Sequence, residues 1–123
     1  MDYLLGYDAG SSFIKATLLE VETGRVAAAA SSPGREMEMS SPRPGWAEQD
    51  PEKWWEHLAR ATAALLRDAG AGAREVKAIG ISYQMHGLVA VDRELRPLRP
   101  AIIWCDSRAV GTGEAARRVL GEG

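Results

Sequence analysis

Apolar and polar positions along the chain alternate in short blocks over the first thirty residues. "YLLGYD" is an apolar run of strand length that "AGSS" breaks; "FIKATLLEV" follows, "ETG" breaks again, and "RVAAAAS" continues. Short runs of large and β-branched side chains separated by small turn formers predict a three-stranded antiparallel meander. The alanine run also suits a helix. From Ser32 to Gln49 the chain is rich in proline, glycine and serine, which predicts a long loop.

The pattern then changes period. In "PGWAEQDPEKWW" Asp50 is placed as N-cap, Pro51 takes the first helical position, where its missing N–H costs nothing, and Glu52 favours the positive end of the dipole. Trp54, Leu58, Ala61 and Leu65 follow at helical spacing, and Gly70 supplies the C-cap. This spacing predicts one amphipathic helix, with Trp46, Trp54 and Trp55 as packing residues, two of them anchoring it, and His57 solvated on the far face. "VKAIGIS" reads as a fourth, buried strand, "GLVAVD" with "LRPAIIW" as a further hairpin, and "DSRAVGTGEAARRVLGEG" as a weak helix capped by Asp106 and interrupted by Gly111 and Gly113. The order β-β-β-α-β is a layered α/β arrangement in which the fourth strand joins the meander by a crossover and pairs in parallel. Function is then expected at the strand ends along one sheet edge.

Composition narrows the classes. The 123 residues are one domain's worth of chain, and 46% are hydrophobic. Fifteen basic against seventeen acidic residues leave a net charge of −2, so no broad basic field exists for nucleic acid or anionic lipid, and an anion site must be local. The single cysteine, Cys105, forms no internal disulfide, and no Cys/His set has metal-ligand spacing, which suits a reducing cytoplasm. No basic and apolar leader precedes "YLLGYD", and no stretch reaches the roughly 18 apolar residues of a membrane span. A soluble cytoplasmic chain without a membrane partner is the expectation.

Two constellations carry chemistry. In "GYDAGSSFIK" the carboxylate of Asp8 ends a strand and a small-residue turn follows. Gly10 can take positive φ and admits close approach of backbone N–H groups to an anion; Ser11 and Ser12 add hydroxyls, and Lys15 adds charge. Asp8 can hold hydrated magnesium bridging to a phosphate tail. The same letters also make an ordinary hairpin turn. In "SYQMHG" and "IIWCDSR", Gln84 and His86 offer directional hydrogen bonds, Met85 a pliable apolar face and Trp104 a wall, as a small neutral polyol requires. Asp106 and Arg108 can contact the polyol or brace one another. His86 equally suits a structural role, Trp104 a place in the core, and Asp106 a helix cap.

Four segments, "YLLGYDAGSSFIKATLLE", "PGWAEQDPEKWW", "AIGISYQMHGLVAVD" and "LRPAIIWCDSR", resemble in order and spacing the N-terminal part of the FGGY carbohydrate kinases. Within that family they look most like the xylulokinases, whose segments read like "IGIDLGTS", "SEQDPEQWW", "GQMHG" and "RPAIxWND". The resemblance implies an actin-like, ribonuclease-H-like domain with a mixed sheet, residues 1–123 forming part of the N-terminal FGGY domain, with the ATP-binding domain lying elsewhere. It implies ATP and magnesium as cofactors and transfer of the γ-phosphoryl group to a ketopentose such as D-xylulose. By position Asp8 matches the metal- and phosphate-side aspartate, Gly10, Ser11 and Ser12 the phosphate-facing turn, Met85 and His86 the sugar-binding pair, and Trp104 and Asp106 the element lining or supporting the sugar pocket. Tyr7, Ala9, Tyr83 and Cys105 depart from the family pattern, the last two beside the expected pocket. The family's catalytic aspartate base lies beyond this chain, which alone is expected to be inactive. A non-catalytic sugar-binding or regulatory domain on the same scaffold, or a kinase for gluconate, ribulose or glycerol, are the alternative readings. Such a piece exposes apolar surface, so self-association is expected.

Overall fold

The computed structural model describes residues 1–121, so the last two residues of the expected C-terminal helix and of the 1–123 domain lie outside the described residues. Strands β1 (Tyr3–Ala9), β2 (Ile14–Glu20) and β3 (Val26–Ser32) form the expected meander, and the alanine run is strand rather than helix. Pairing against β2 decides this, since tertiary context outweighs the helix propensity of alanine. Helix α1 (Pro51–Ala69) and a single 3-10 turn, Ala73–Glu75, carry the chain across to strand β5 (Val76–Tyr83). β5 pairs parallel to β1, giving a mixed sheet in the order β3-β2-β1-β5.

The ends of α1 follow the sequence signals. Asp50 accepts the Glu52 N–H at 3.0 Å, Pro51 stands at the first position, and Gly70 closes the helix in the left-handed region at φ 62°. The buried stripe is His57, Ala61 and Leu65, four residues apart, and it lies over β2 and β3. Alternate strand residues meet it: Tyr3, Leu5 and Tyr7 from β1, Ala16 and Leu18 from β2. The Tyr7 phenol and the Thr62 hydroxyl share a 2.6 Å hydrogen bond, satisfying the polar tip of a buried ring. His57 is therefore not solvated. It is 9% exposed, and its Nδ1 shares a 2.9 Å hydrogen bond with the Ser32 hydroxyl of β3.

Other expectations also change. Trp54 is half-buried, but Trp55, the next residue, is turned 100° round the helix and lies exposed. β5 is not buried: α1 packs chiefly over β2 and β3 and against the inward side chains of β1, leaving Ile79, Ile81 and Tyr83 open. The proposed second hairpin survives only as isolated bridges, Val91 with Pro97 and Leu88 with Ile102. The last strand of that region, β6 (Ala101–Ile102), pairs instead with β4 (Glu48–Gln49), a short strand inside the loop before α1. Helix α2 (Val110–Leu120) runs through both Gly111 and Gly113, with Ala109 rather than Asp106 at its N-cap.

Candidate functional site

The C-terminal ends of β1 and β5 lie side by side, with Ala9 in register with Tyr83. The Gln84 N–H donates to the Ala9 carbonyl at 3.0 Å, extending the parallel pairing past β5. Residues 10–13 therefore leave the sheet at the same edge as residues 84–87. This is the edge at which β1 turns into β2.

The 10–13 segment is a hairpin turn, as its letters allowed. The Gly10 N–H donates to the Phe13 carbonyl at 3.1 Å. Gly10 does not use positive φ, which corrects one expectation; among the described glycines, that conformation is taken by Gly24, Gly45, Gly70 and Gly121. Its role is room: a Cβ at position 10 would stand 3.2 Å from the Phe13 carbonyl oxygen. Asp8 and Lys15 face each other across β1 and β2, both exposed on the sheet face away from α1. One exposed carboxylate beside a turn of backbone amides suits magnesium, which takes few protein ligands and completes its octahedron with water and phosphate oxygen. Among the described residues no group of three His, Cys, Asp or Glu side chains forms a closed metal cage.

Beyond β5 the chain turns sharply. His86 is non-glycine at φ 60°, the left-handed region, and both it and Met85 are exposed. Such backbone is uncommon enough to suggest a functional constraint. The Gln84 Oε1 is buried and has no hydrogen-bond partner among the described residues, so an acceptor stands unanswered at this junction. Behind the turn, Gly87 lies so close to the Ile102 carbonyl that a Cβ would approach it to 3.2 Å.

Trp104 and Asp106 part company. Trp104 is 59% exposed rather than core, and its Nε1–H donates to the Ser11 hydroxyl at 3.2 Å, joining the third segment to the first. The Asp106 side chain is 2% exposed and fully engaged. Its Oδ1 accepts from the Arg108 N–H at 2.8 Å and Nε at 2.9 Å; its Oδ2 accepts from the Ala47 N–H at 2.6 Å and from Arg108 Nη2 at 2.7 Å. Arg108, together with these two backbone donors, holds the Asp106 carboxyl well below its ordinary value of 3.8, against the opposing effect of burial. Asp106 is thus a brace, neither a helix cap nor free to meet a sugar.

The sequence reading passed over the residues that receive this brace. Glu48 accepts from Arg108 Nη2 at 2.8 Å and from Arg99, and the Arg108 guanidinium stacks 3.7 Å from the centre of the Trp46 ring. Gln49 is 5% exposed; its Nε2 donates to the Ser11 carbonyl at 2.6 Å and to the Glu38 carbonyl at 3.3 Å, while its Oε1 accepts from Trp54 Nε1 at 3.1 Å. The available signal was two polar residues directly before a helix cap, read only as a helix start.

A mixed sheet of this order, backed by a helix and carrying its polar residues at one set of strand ends, is the class of the actin-like ATPase domains. The chain belongs to the FGGY family of carbohydrate kinases, matching that family's N-terminal domain over residues 3–122. It is 46% identical over 104 residues to the xylulose kinase of Klebsiella pneumoniae and 44% identical over 104 residues to that of Escherichia coli, covering 85% of this chain and 20% of each relative. The solved xylulose kinase of Rhodospirillum rubrum superposes with a TM-score of 0.80 at 31% identity, over 98% of this chain and 24% of that one. The chain spans about a fifth of the length of the curated relatives it matches.

Proposed function

We propose that these residues form the sugar-facing and part of the phosphate-facing surface of a cytoplasmic, ATP-dependent kinase that phosphorylates a ketopentose such as D-xylulose to its 5-phosphate. The observation that carries the reading is the bond between the Trp104 indole and the Ser11 hydroxyl, at the edge where Gln84 bonds Ala9. It brings a turn suited to phosphate within one side chain of a wall suited to a sugar. The similarity to xylulose kinases supports the choice of a ketopentose.

In this reading Gly10, Ser11 and Ser12 receive the phosphate tail, with Lys15 adding positive charge and Asp8 facing the metal. Magnesium, when bound, would neutralise charge on the transferring phosphoryl group. Met85 and Trp104 give the ketose its apolar walls, while His86 and the unpaired Gln84 Oε1 orient its hydroxyls. Asp106 acts at one remove, through the backbone that carries Trp104. Phosphoryl transfer depends on this kind of positioning more than on covalent chemistry. None of the residues assigned here takes the proton from the attacking hydroxyl, and the chain alone is proposed not to turn over.

Two measurements on a full-length kinase carrying these residues test the reading. Coupled ADP release over D-xylulose, D-ribulose, gluconate and glycerol should give the highest kcat/KM for D-xylulose; preference for another of these would reassign the substrate. Calorimetric titration with D-xylulose should show His86→Ala weakening affinity by about tenfold, the scale of a lost directional hydrogen bond. Unchanged affinity would remove His86 from the site.

A further inference from the structure

β4 is two residues long, and its neighbouring side chains bond in different directions. Glu48 meets Arg108, which grips Asp106 and so the segment bearing Trp104. Gln49 meets the turn on the other side, at the Ser11 carbonyl. Both are buried, and each Gln49 polar atom is occupied: two bonds donated by Nε2, one accepted by Oε1.

The peptide bond is planar and trans, so a carbonyl and the N–H of the following residue point in opposite directions. Gln49 draws the Ser11 carbonyl inward, which aims the Ser12 N–H outward. The Met37 N–H likewise holds the Ser12 carbonyl at 2.9 Å, which aims the Phe13 N–H away from Met37. Two successive amides then point away from Gln49 and Met37 respectively at the turn read as the phosphate site, an arrangement suited to a backbone anion cradle.

We propose that Gln49 is a positioning residue that sets the outward orientation of the Ser12 amide for phosphate, with Glu48 beside it fixing the sugar-side segment through Arg108. The inference rests on the kinase reading above. It assigns a task to the "AEQDP" stretch beyond starting a helix, and makes β4 the spacer between the two halves of the site.

The experiment uses a full-length kinase carrying these residues and two near-isosteric substitutions. Gln49→Met removes the donor without adding charge: kcat/KM for ATP should fall about tenfold while KM for D-xylulose stays within about twofold, the signature of a lost interaction confined to the phosphate side. In Gln49→Glu, only the protonated acid can donate to the Ser11 carbonyl while accepting from Trp54. Its activity relative to wild type should therefore decline as pH rises, which a merely structural role would not produce. Wild-type ATP kinetics in Gln49→Met, a pH-independent ratio in Gln49→Glu, or insoluble protein from both overturns the proposal. A wild-type protein that phosphorylates none of the sugars fails the kinase reading instead. The positioning claim is then read by NMR, where Gln49→Met should move the Ser12 amide resonance more than the Trp104 indole, and a stationary Ser12 amide rejects it.

Discussion

At the scale of single residues, the site depends on groups that never face a ligand. Asp106 is the clearest case, because its depressed pKa carries a sign. A carboxylate held below its ordinary value stabilises the fold fully above that value and loses its contribution as acid protonates it. The chain should therefore lose stability as pH falls below about 4, the ordinary carboxylate range. Asp106→Asn should lower the neutral-pH melting temperature and flatten that acid limb, as thermal unfolding from pH 7 downward would show. Equal acid sensitivity in the variant would assign the effect to other carboxylates. Gly45 offers a second test. It sits at φ 78°, and a Cβ there would clash with the Ser107 hydroxyl, which donates to the Gly45 carbonyl at 3.0 Å. Gly45→Ala should cost about 1–2 kcal/mol in urea unfolding from the left-handed backbone alone.

At the scale of elements, α1 and the meander form one buried layer, and Leu65, fully buried between them, should be the sensitive position. Leu65→Ala is expected to cost about 2–5 kcal/mol of unfolding free energy, whereas exposed Trp55→Ala should change it by less than about 0.5 kcal/mol. β1, β2, β5 and α1 were legible as strand-length apolar runs or a helical stripe with their own punctuation, Asp50-Pro51 opening the helix and Gly70 closing it, whereas the alanine run of β3 was settled only by its pairing with β2. β4 and β6 were not, since a two-residue strand has no period and is defined only by its partner. The position of His57 was missed for a related reason. Expected on the face away from the tryptophans, it stands instead on the buried stripe with Ala61 and Leu65, opposite a Ser32 hydroxyl that only the fold brings there. Of the candidate site, the turn and the "QMHG" junction were readable as small and polar residues at strand ends. The division between Trp104, which meets Ser11, and Asp106, which meets Arg108 and Ala47, required coordinates, because both are compatible with a pocket on composition alone.

At the scale of the whole molecule, one side of the sheet is only partly clothed. Ile79 and Ile81 are in register with buried Leu5 and Tyr7, and so share the face that α1 covers elsewhere, yet Ile81 is 57% exposed. Beside them runs a groove lined by Leu5, Tyr7, Leu66, Val76 and Ile79. α2 buries none of its residues and leaves Val119 and Leu120 open as well. Exposed apolar surface such as the β5 edge and its groove drives association. Light scattering of the 123-residue chain should show concentration-dependent oligomers that Ile81→Lys reduces, and a monomer at high concentration would count against it.

The brevity of β4 has an evolutionary corollary. Along an extended backbone successive side chains swap sides, so inserting or deleting one residue between Ala47 and Asp50 would bring an anionic carboxylate to the Ser11 carbonyl or leave Arg108 with Asp106 but without Glu48, its second counter-charge. Sequences that drift at this point should exchange letters far more readily than they change length.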